Sequence, residues 1–253
     1  MFIFLFPYLF FFFVVPYYCL KTAWSDPGIL RRLTNPISSV KEDNPDEYDE
    51  TGRIVAKLLF HQLNDNFVVG KQILVDNEYV FLKYCHTCQL FRPPKASHCH
   101  HCDNCVEEFD HHCHWLSNCI GRRNYRSFIL FIFYLSIAAL YNSAFMATYI
   151  YKNNSESSSI STAAKNIFSS SNSYFLLFFF FLGLTLTFLF CYYLMLLGND
   201  LTTAEHIKKI RTTSFSWSVC RSNLYRVCFH PVPETQIQWD LYTHRSNYDD
   251  TQV

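Results

Sequence analysis

Neither charge is in excess in this chain: Lys plus Arg and Asp plus Glu both total 21, so the formal net charge is zero. A global polyanion-binding field is therefore excluded, and only local basic patches remain. The stretch from Met1 to Leu20 contains no charged side chain. It lacks the basic leading region and the A-x-A-like cleavage site of a secretory signal, which argues for a retained span. No internal repeat at the roughly 20–50-residue period of solenoids and propellers is apparent. Apolar residues, by contrast, are plentiful: half the chain is hydrophobic, 19% is aromatic, and many of the 26 phenylalanines fall in uninterrupted runs. Such runs suit a lipid-facing helix better than a water-soluble core.

Three long apolar stretches stand out, at 1–20, 127–150 and 174–197. Each approaches or exceeds the roughly 20 residues that an α-helix needs to cross a bilayer. Pro7 and Pro16 would kink the first, which membrane helices tolerate. Basic residues flank the spans unevenly: Lys21, Arg31 and Arg32 follow the first, Arg122, Arg123 and Arg126 precede the second, and Lys208, Lys209 and Arg211 follow the third. The loop 151–173 has only Lys152 and Lys165. The asymmetry predicts that 21–126 and 198–253 face the cytosol and 151–173 the lumen. Asn153-Asn154-Ser155 is then a lumenal sequon, but one close to the membrane. Residues 41–50 read as an acidic linker, and Phe67 to Tyr84 as a short hairpin turning at Asp76-Asn77. Together 21–83 form a cytosolic segment leading into a cysteine-rich domain at 84–121.

Of the 11 cysteines, Cys85, Cys88, Cys99, Cys102, Cys105, Cys113 and Cys119 crowd into that domain. Cys85/Cys88 and Cys99/Cys102 are C-x2-C pairs, and Cys105 continues the rhythm. This spacing lets two thiolates reach one tetrahedral Zn²⁺ from a tight turn. Disulfides would need an oxidising compartment, whereas the charge pattern places the loop in the reducing cytosol. Two closed zinc sites need eight ligands. Six cysteines and two histidines supply them and leave one cysteine over. Spacing alone says neither which cysteine that is nor which of the neighbouring histidines bind. It does point to Cys113, which follows Asp110-His111-His112. A free thiol beside an imidazole and a carboxylate is what an activated nucleophile needs, the alternatives being a further ligand or an inert thiol.

The segment resembles the cysteine-rich domain of DHHC palmitoyltransferases. Asp110-His111-His112-Cys113 is the signature, followed by Trp115, Asn118-Cys119-Ile120-Gly121 and Asn124. Asp26-Pro27-Gly28 after the first span is similar to the family's DPG motif, and Thr202-Thr203-Ala204-Glu205 after the last to its TTxE motif. Asn223, among aromatics, resembles the C-terminal asparagine motif. The resemblance runs from Ser25 to about Pro231. The stretches CDNCVEEFDHHC and GRRNYRSF look most like the Ras-acylating branch, which works with a small accessory subunit.

The resemblance implies two interleaved structural zinc sites, Cys85, Cys88, His98 and Cys105 in one, Cys99, Cys102, His112 and Cys119 in the other, with Cys113 free. His86, His100, His101 and His114 are left as surface or packing residues. It implies an acyl-enzyme formed on Cys113 from palmitoyl-CoA, with His111 as base, Asp110 orienting it, and transfer to cysteines of membrane-associated proteins. Thr202 or Thr203 is expected to bond Asp110, with helix capping by Thr202 and Glu205 as a compatible role. Lys83, Arg92 and Lys95 are candidates for the coenzyme A phosphates and Trp115 for the interface. Ser136, Ala138 and Ala139 suit helix packing, or the wall of an acyl cavity.

The expected fold class is thus an α-helical integral membrane protein: three visible transmembrane helices, where the family usually has four, and a cytosolic zinc-stapled domain of short hairpins. With DPG after it, the first stretch resembles the family's second span; a complete chain would start in the lumen. His114 stands where proline is usual, which implies an altered rate. The expected location is the endoplasmic reticulum or Golgi. A zinc-bearing scaffold is the rival reading. A nucleic-acid partner is not expected, because no basic recognition helix is visible.

Overall fold

The computed structural model describes residues 2–32, 58–63, 66–75, 78–154, 171–208, 216–232 and 234–235. The acidic linker 41–50, the turn at Asp76-Asn77 and Ser155 of the sequon lie outside them. The chain divides into two compact units.

One unit takes residues 1–25, 125–201 and 211–230 and is helical. Its long helices are α1 (Phe2–Trp24), α2 (Tyr125–Asn154) and α3 (Ser171–Gly198). Each is long and apolar enough to cross a membrane. Pro7 and Pro16 lie inside α1 without ending it. Helices α2 and α3 approach closely at Gly183, where a Cβ would stand 2.8 Å from Leu140 Cδ2 and 3.0 Å from Leu140 N. Ala138 and Ala139 are buried, and Ser136 Oγ returns its hydrogen bond to Phe133 O. Tyr18 of α1 stacks on Tyr134 of α2. The short helix α5 (Trp217–Phe229) lies against the C-terminal end of α3. Asn223 Nδ2 donates to Leu197 O at 2.8 Å, and the Arg126 guanidinium donates to Val227 O and His230 O at the end of α5. A cation over C-terminal carbonyls complements the helix dipole.

The other unit takes residues 26–124, 202–210 and 231–253. Strands β1 (Leu58–Leu63), β2 (Asn66–Val75), β3 (Glu78–Cys85) and β4 (Leu90–Phe91) form one antiparallel sheet in that order. Two hairpins follow: β5 (Ser97–Cys99) with β6 (Asn104–Val106), and β7 (His111–Cys113) with β8 (Asn118–Ile120). The Asp26-Pro27-Gly28 segment is tied to β6. Ile29 bridges Val106, Leu30 N donates to Cys105 O, and Glu107 N donates to Gly28 O. Asp26 Oδ1 accepts from Gly28 N and Ile29 N, closing a turn in which Gly28 takes φ 108, a conformation that a side chain would strain. Asp26 Oδ2 faces Arg123 Nε at 3.1 Å and accepts from Thr235 Oγ1. The buried centre of this unit is largely cysteine: Cys85, Cys88 and Cys105 pack with Leu30 and Leu90, and Cys99 and Cys119 with Val106. Thiols gathered this closely at the centre of a hairpin unit suit a metal that ties the hairpins together.

Candidate active site and metal centres

Cys85, Cys88, His98 and Cys105 bring four ligand atoms together, as do Cys99, Cys102, His112 and Cys119; within each group all four lie within 4.8 Å of one another. In the first, His98 Nδ1 stands 3.6, 3.4 and 3.8 Å from the sulfurs of Cys85, Cys88 and Cys105. In the second, His112 Nδ1 stands 3.7, 3.4 and 3.6 Å from those of Cys99, Cys102 and Cys119. Tetrahedral zinc with bonds of about 2.3 Å to sulfur and about 2.0 Å to nitrogen requires such separations. Burial pushes the Cys105 and Cys119 thiols up, so a cation must supply the energy that makes them thiolates. Two closed Cys3His sets therefore fit structural Zn²⁺.

Strand alternation sorts the ligands. His98 pairs across β5–β6 with Cys105, and both serve the first set. Cys99, the next residue, points to the opposite face and joins the second. His112 likewise pairs with Cys119 across β7–β8. His111 and Cys113, on either side of His112, share the other face. Asn124, fully buried, secures this hairpin by accepting from Gly121 N and donating to Cys119 O.

A repeat much shorter than that of a solenoid underlies the arrangement. The ligands of the second set follow those of the first at a constant 14 residues, Cys85 to Cys99, Cys88 to Cys102, His98 to His112 and Cys105 to Cys119. One more step of 14 residues reaches Cys113. Backbone geometry repeats as well. Cys85 pairs with Leu90, Cys99 with Asn104 and Cys113 with Asn118. The residue before each partner has a left-handed φ: Gln89 at 54°, Asp103 at 50° and Ser117 at 50°. Three equivalent knuckles follow one another, two with a second cysteine and the third with Leu116 in that position.

Cys113 belongs to neither ligand set. It is buried and hydrogen-bonded to His111. Burial opposes its ionisation, but the His111 bond and the backbone N–H groups of Leu116 and Trp115 outweigh it and hold the thiol below its ordinary value. For His111, burial opposes protonation, yet the bonds to Asp110 and Cys113 raise its pKa to about 9. His111 Nδ1 bonds Asp110 Oδ2 at 2.8 Å, leaving Nε2 for the thiol. Asp110 is only 1% exposed, and its Oδ1 accepts from the Thr203 backbone N–H at 2.7 Å. That donor opens helix α4 (Thr203–Ile207), which Thr202 and Glu205 cap reciprocally in a capping box. The Asp110 contact is thus made by a Thr203 peptide group, which residue identity alone does not disclose.

Lys83 and Arg92 stand near each other, and Lys208, which no sequence motif singles out for this role, joins them. Burial, then Arg92 and Lys208, depress the Lys83 pKa. Lys95 sits at a turn with φ 63, its carbonyl accepting from Phe109 N. Trp115 is 96% exposed on the turn between β7 and β8. His86, His100, His101 and His114 are exposed, with rings against Tyr84, His98 and His112. Asn223 belongs to the helical unit, where it braces α5.

Comparison with known proteins places these features. Palmitoyltransferase ZDHHC9 of Danio rerio is 35% identical over 150 residues, 56% of this chain and 35% of the relative. Palmitoyltransferase ZDHHC14 of Homo sapiens is 36% identical over 146 residues, 55% of this chain and 27% of the relative. ZDHHC14 of Danio rerio is 39% identical over 155 residues, 57% of this chain and 27% of the relative. The chain thus spans between 27% and 35% of the length of these curated relatives. The family model described as DHHC palmitoyltransferase matches residues 78–210, a stretch that contains both ligand sets, the Asp110–His111–Cys113 constellation and helix α4. With more than half of its 253 residues under that match, the chain belongs to the DHHC palmitoyltransferase family.

Proposed function

We propose that this protein is a protein S-acyltransferase that moves a palmitoyl group from palmitoyl-CoA to cysteines of membrane-associated proteins through Cys113. One observation carries the reading: Cys113 stays outside two complete ligand sets while sharing a strand face with His111, itself bonded to Asp110. The Cys113 thiolate attacks the acyl-CoA carbonyl, and the coenzyme A sulfur leaves with the proton held on His111. A substrate cysteine then gives its proton to His111 and attacks the acyl-enzyme, which releases Cys113. One thioester replaces another at each step, so no further energy source is needed. Asp110, with the Thr203 N–H on its far oxygen, sets the His111 ring and stabilises its imidazolium.

The two Zn²⁺ would be structural, held by the Cys3His sets, and would fix the hairpins that present Cys113. A palmitoyl chain holds to lipid with about 0.8 kcal/mol per buried CH₂. The chemistry therefore belongs at a membrane surface; the uneven basic flanks favour its cytosolic face, and the family resemblance favours the endoplasmic reticulum or Golgi. Ras-like proteins are the substrates, with a small accessory subunit, that the branch resemblance favours.

Purified protein given alkyne-tagged palmitoyl-CoA should acquire a hydroxylamine-sensitive label, and Cys113→Ser should acquire none. A label of parental size in that variant would refute the reading. The basic trio Lys83, Arg92 and Lys208 is the site for the coenzyme A phosphates. Lys83→Glu should raise KM for palmitoyl-CoA about 10-fold or more, the value of a charge-assisted hydrogen bond, with kcat largely kept. Alkylation of Cys113 by iodoacetamide should reach half-rate below the ordinary thiol pKa. In His111→Gln the midpoint should move up, because the lowering partner is gone and burial remains.

A further inference from the structure

From the three knuckles we infer that Leu116 keeps Cys113 available for chemistry by occupying the position of the missing second ligand, and so excludes a third metal ion. The hairpin that carries Cys113 is built as a metal-binding turn. It has the cross-strand register of its predecessors, Cys113 against Asn118 as Cys85 against Leu90 and Cys99 against Asn104. It has their left-handed residue, Ser117, in step with Gln89 and Asp103. Even the peptide N–H groups that turn toward the sulfur recur: those of Leu116 and Trp115 serve Cys113 as those of Cys88 and Thr87 serve Cys85. Such a turn gathers thiophilic cations whenever a second soft donor stands three residues on. At that place the third knuckle has an isobutyl group, 6% exposed and without a lone pair. His111, bonded to the Cys113 thiol and held from behind by Asp110, would supply a third ligand if Leu116 were one.

This inference rests on the zinc reading of the first two knuckles, and metal content separates the two. Purified parent protein should carry two zinc ions per chain; fewer would refute the zinc reading itself. Leu116→Cys should carry three, with its hydroxylamine-sensitive acyl label reduced at least 10-fold under reducing conditions that prevent a disulfide between Cys113 and the introduced thiol. Leu116→Ser, which changes size and polarity without a soft donor, should stay at two. Cobalt in place of zinc gives a readout independent of activity: sulfur-to-cobalt charge-transfer absorption should grow in Leu116→Cys and not in Leu116→Ser. Two metals in a folded Leu116→Cys protein would overturn the inference. Should that variant not fold, the parent decides. Titrated with Cd²⁺ and desalted, it should retain no ion beyond those of the two Cys3His sets. A further retained Cd²⁺ that Cys113→Ser abolishes would show that Leu116 excludes nothing.

Discussion

Asp110→Asn should slow formation of the acyl-enzyme about 10³- to 10⁴-fold while leaving the protein folded and both metals bound. The size follows from what an orienting carboxylate does for a catalytic imidazole. Asp110 is buried with both oxygens engaged, Oδ2 by His111 Nδ1 and Oδ1 by the Thr203 N–H. An asparagine fills the same space. It must, however, present either its amide nitrogen to His111, which reverses the tautomer, or that nitrogen to the Thr203 N–H, which opposes two donors. In both cases an imidazolium on His111 loses the counter-charge that favours Cys113 ionisation. Stopped-time labelling with alkyne palmitoyl-CoA measures the rate, and metal analysis with circular dichroism checks the fold. A loss below 10-fold would mean that His111 needs no orientation from Asp110.

Removing the metals should unfold the cysteine-rich unit outright and leave the three long helices in place. Six of the buried residues that fill this unit are the proposed ligands Cys85, Cys88, Cys99, Cys105, Cys119 and, partly covered, Cys102. Thiols forced together without a cation have lost water and gained no partner, and burial holds Cys105 and Cys119 far from ionisation. Structural zinc contributes an apparent ~10–16 kcal/mol in zinc-finger peptides, as much as a whole domain's usual stability of about 5–15 kcal/mol. A strong chelator, or Cys119→Ala, should therefore abolish acyl labelling and expose the hairpins to protease, while the far-ultraviolet helix signal persists. Hydrogen exchange read by peptide would show protection lost at β5 to β8 and kept in α2 and α3. Retained protection in β5 to β8 after complete metal removal would contradict the structural role.

The two units differ in how readable they were from sequence. Charge-free runs of phenylalanine and leucine leave a chain little choice but a lipid-facing helix, so the three spans were visible from composition. Their ends were not: α1 runs on past Leu20 to Trp24 and α2 on to Asn154, because hydropathy says nothing about where hydrogen bonding stops. In the cysteine-rich unit, spacing counted ligands but could not distribute them. Distribution depends on which strand face His98, Cys99, His112 and Cys113 occupy, and that depends on register. The 14-residue period is present in the sequence, but it lies below the periods at which repeats announce a fold. Lys208 lies far along the chain from Lys83 and Arg92, so that contact has no local sequence signal. The TTxE resemblance does point to a Thr203–Asp110 contact, but not to the backbone N–H as the group that makes it.

Native mass spectrometry of the protein after one turnover with palmitoyl-CoA, followed by peptide mapping, puts the account to its most direct test. The account predicts a species carrying two zinc ions and one palmitoyl group together, the adduct lying on Cys113. An acyl group that arrives only as a zinc ion departs, or that maps to any of the eight ligand positions or another thiol, would contradict it.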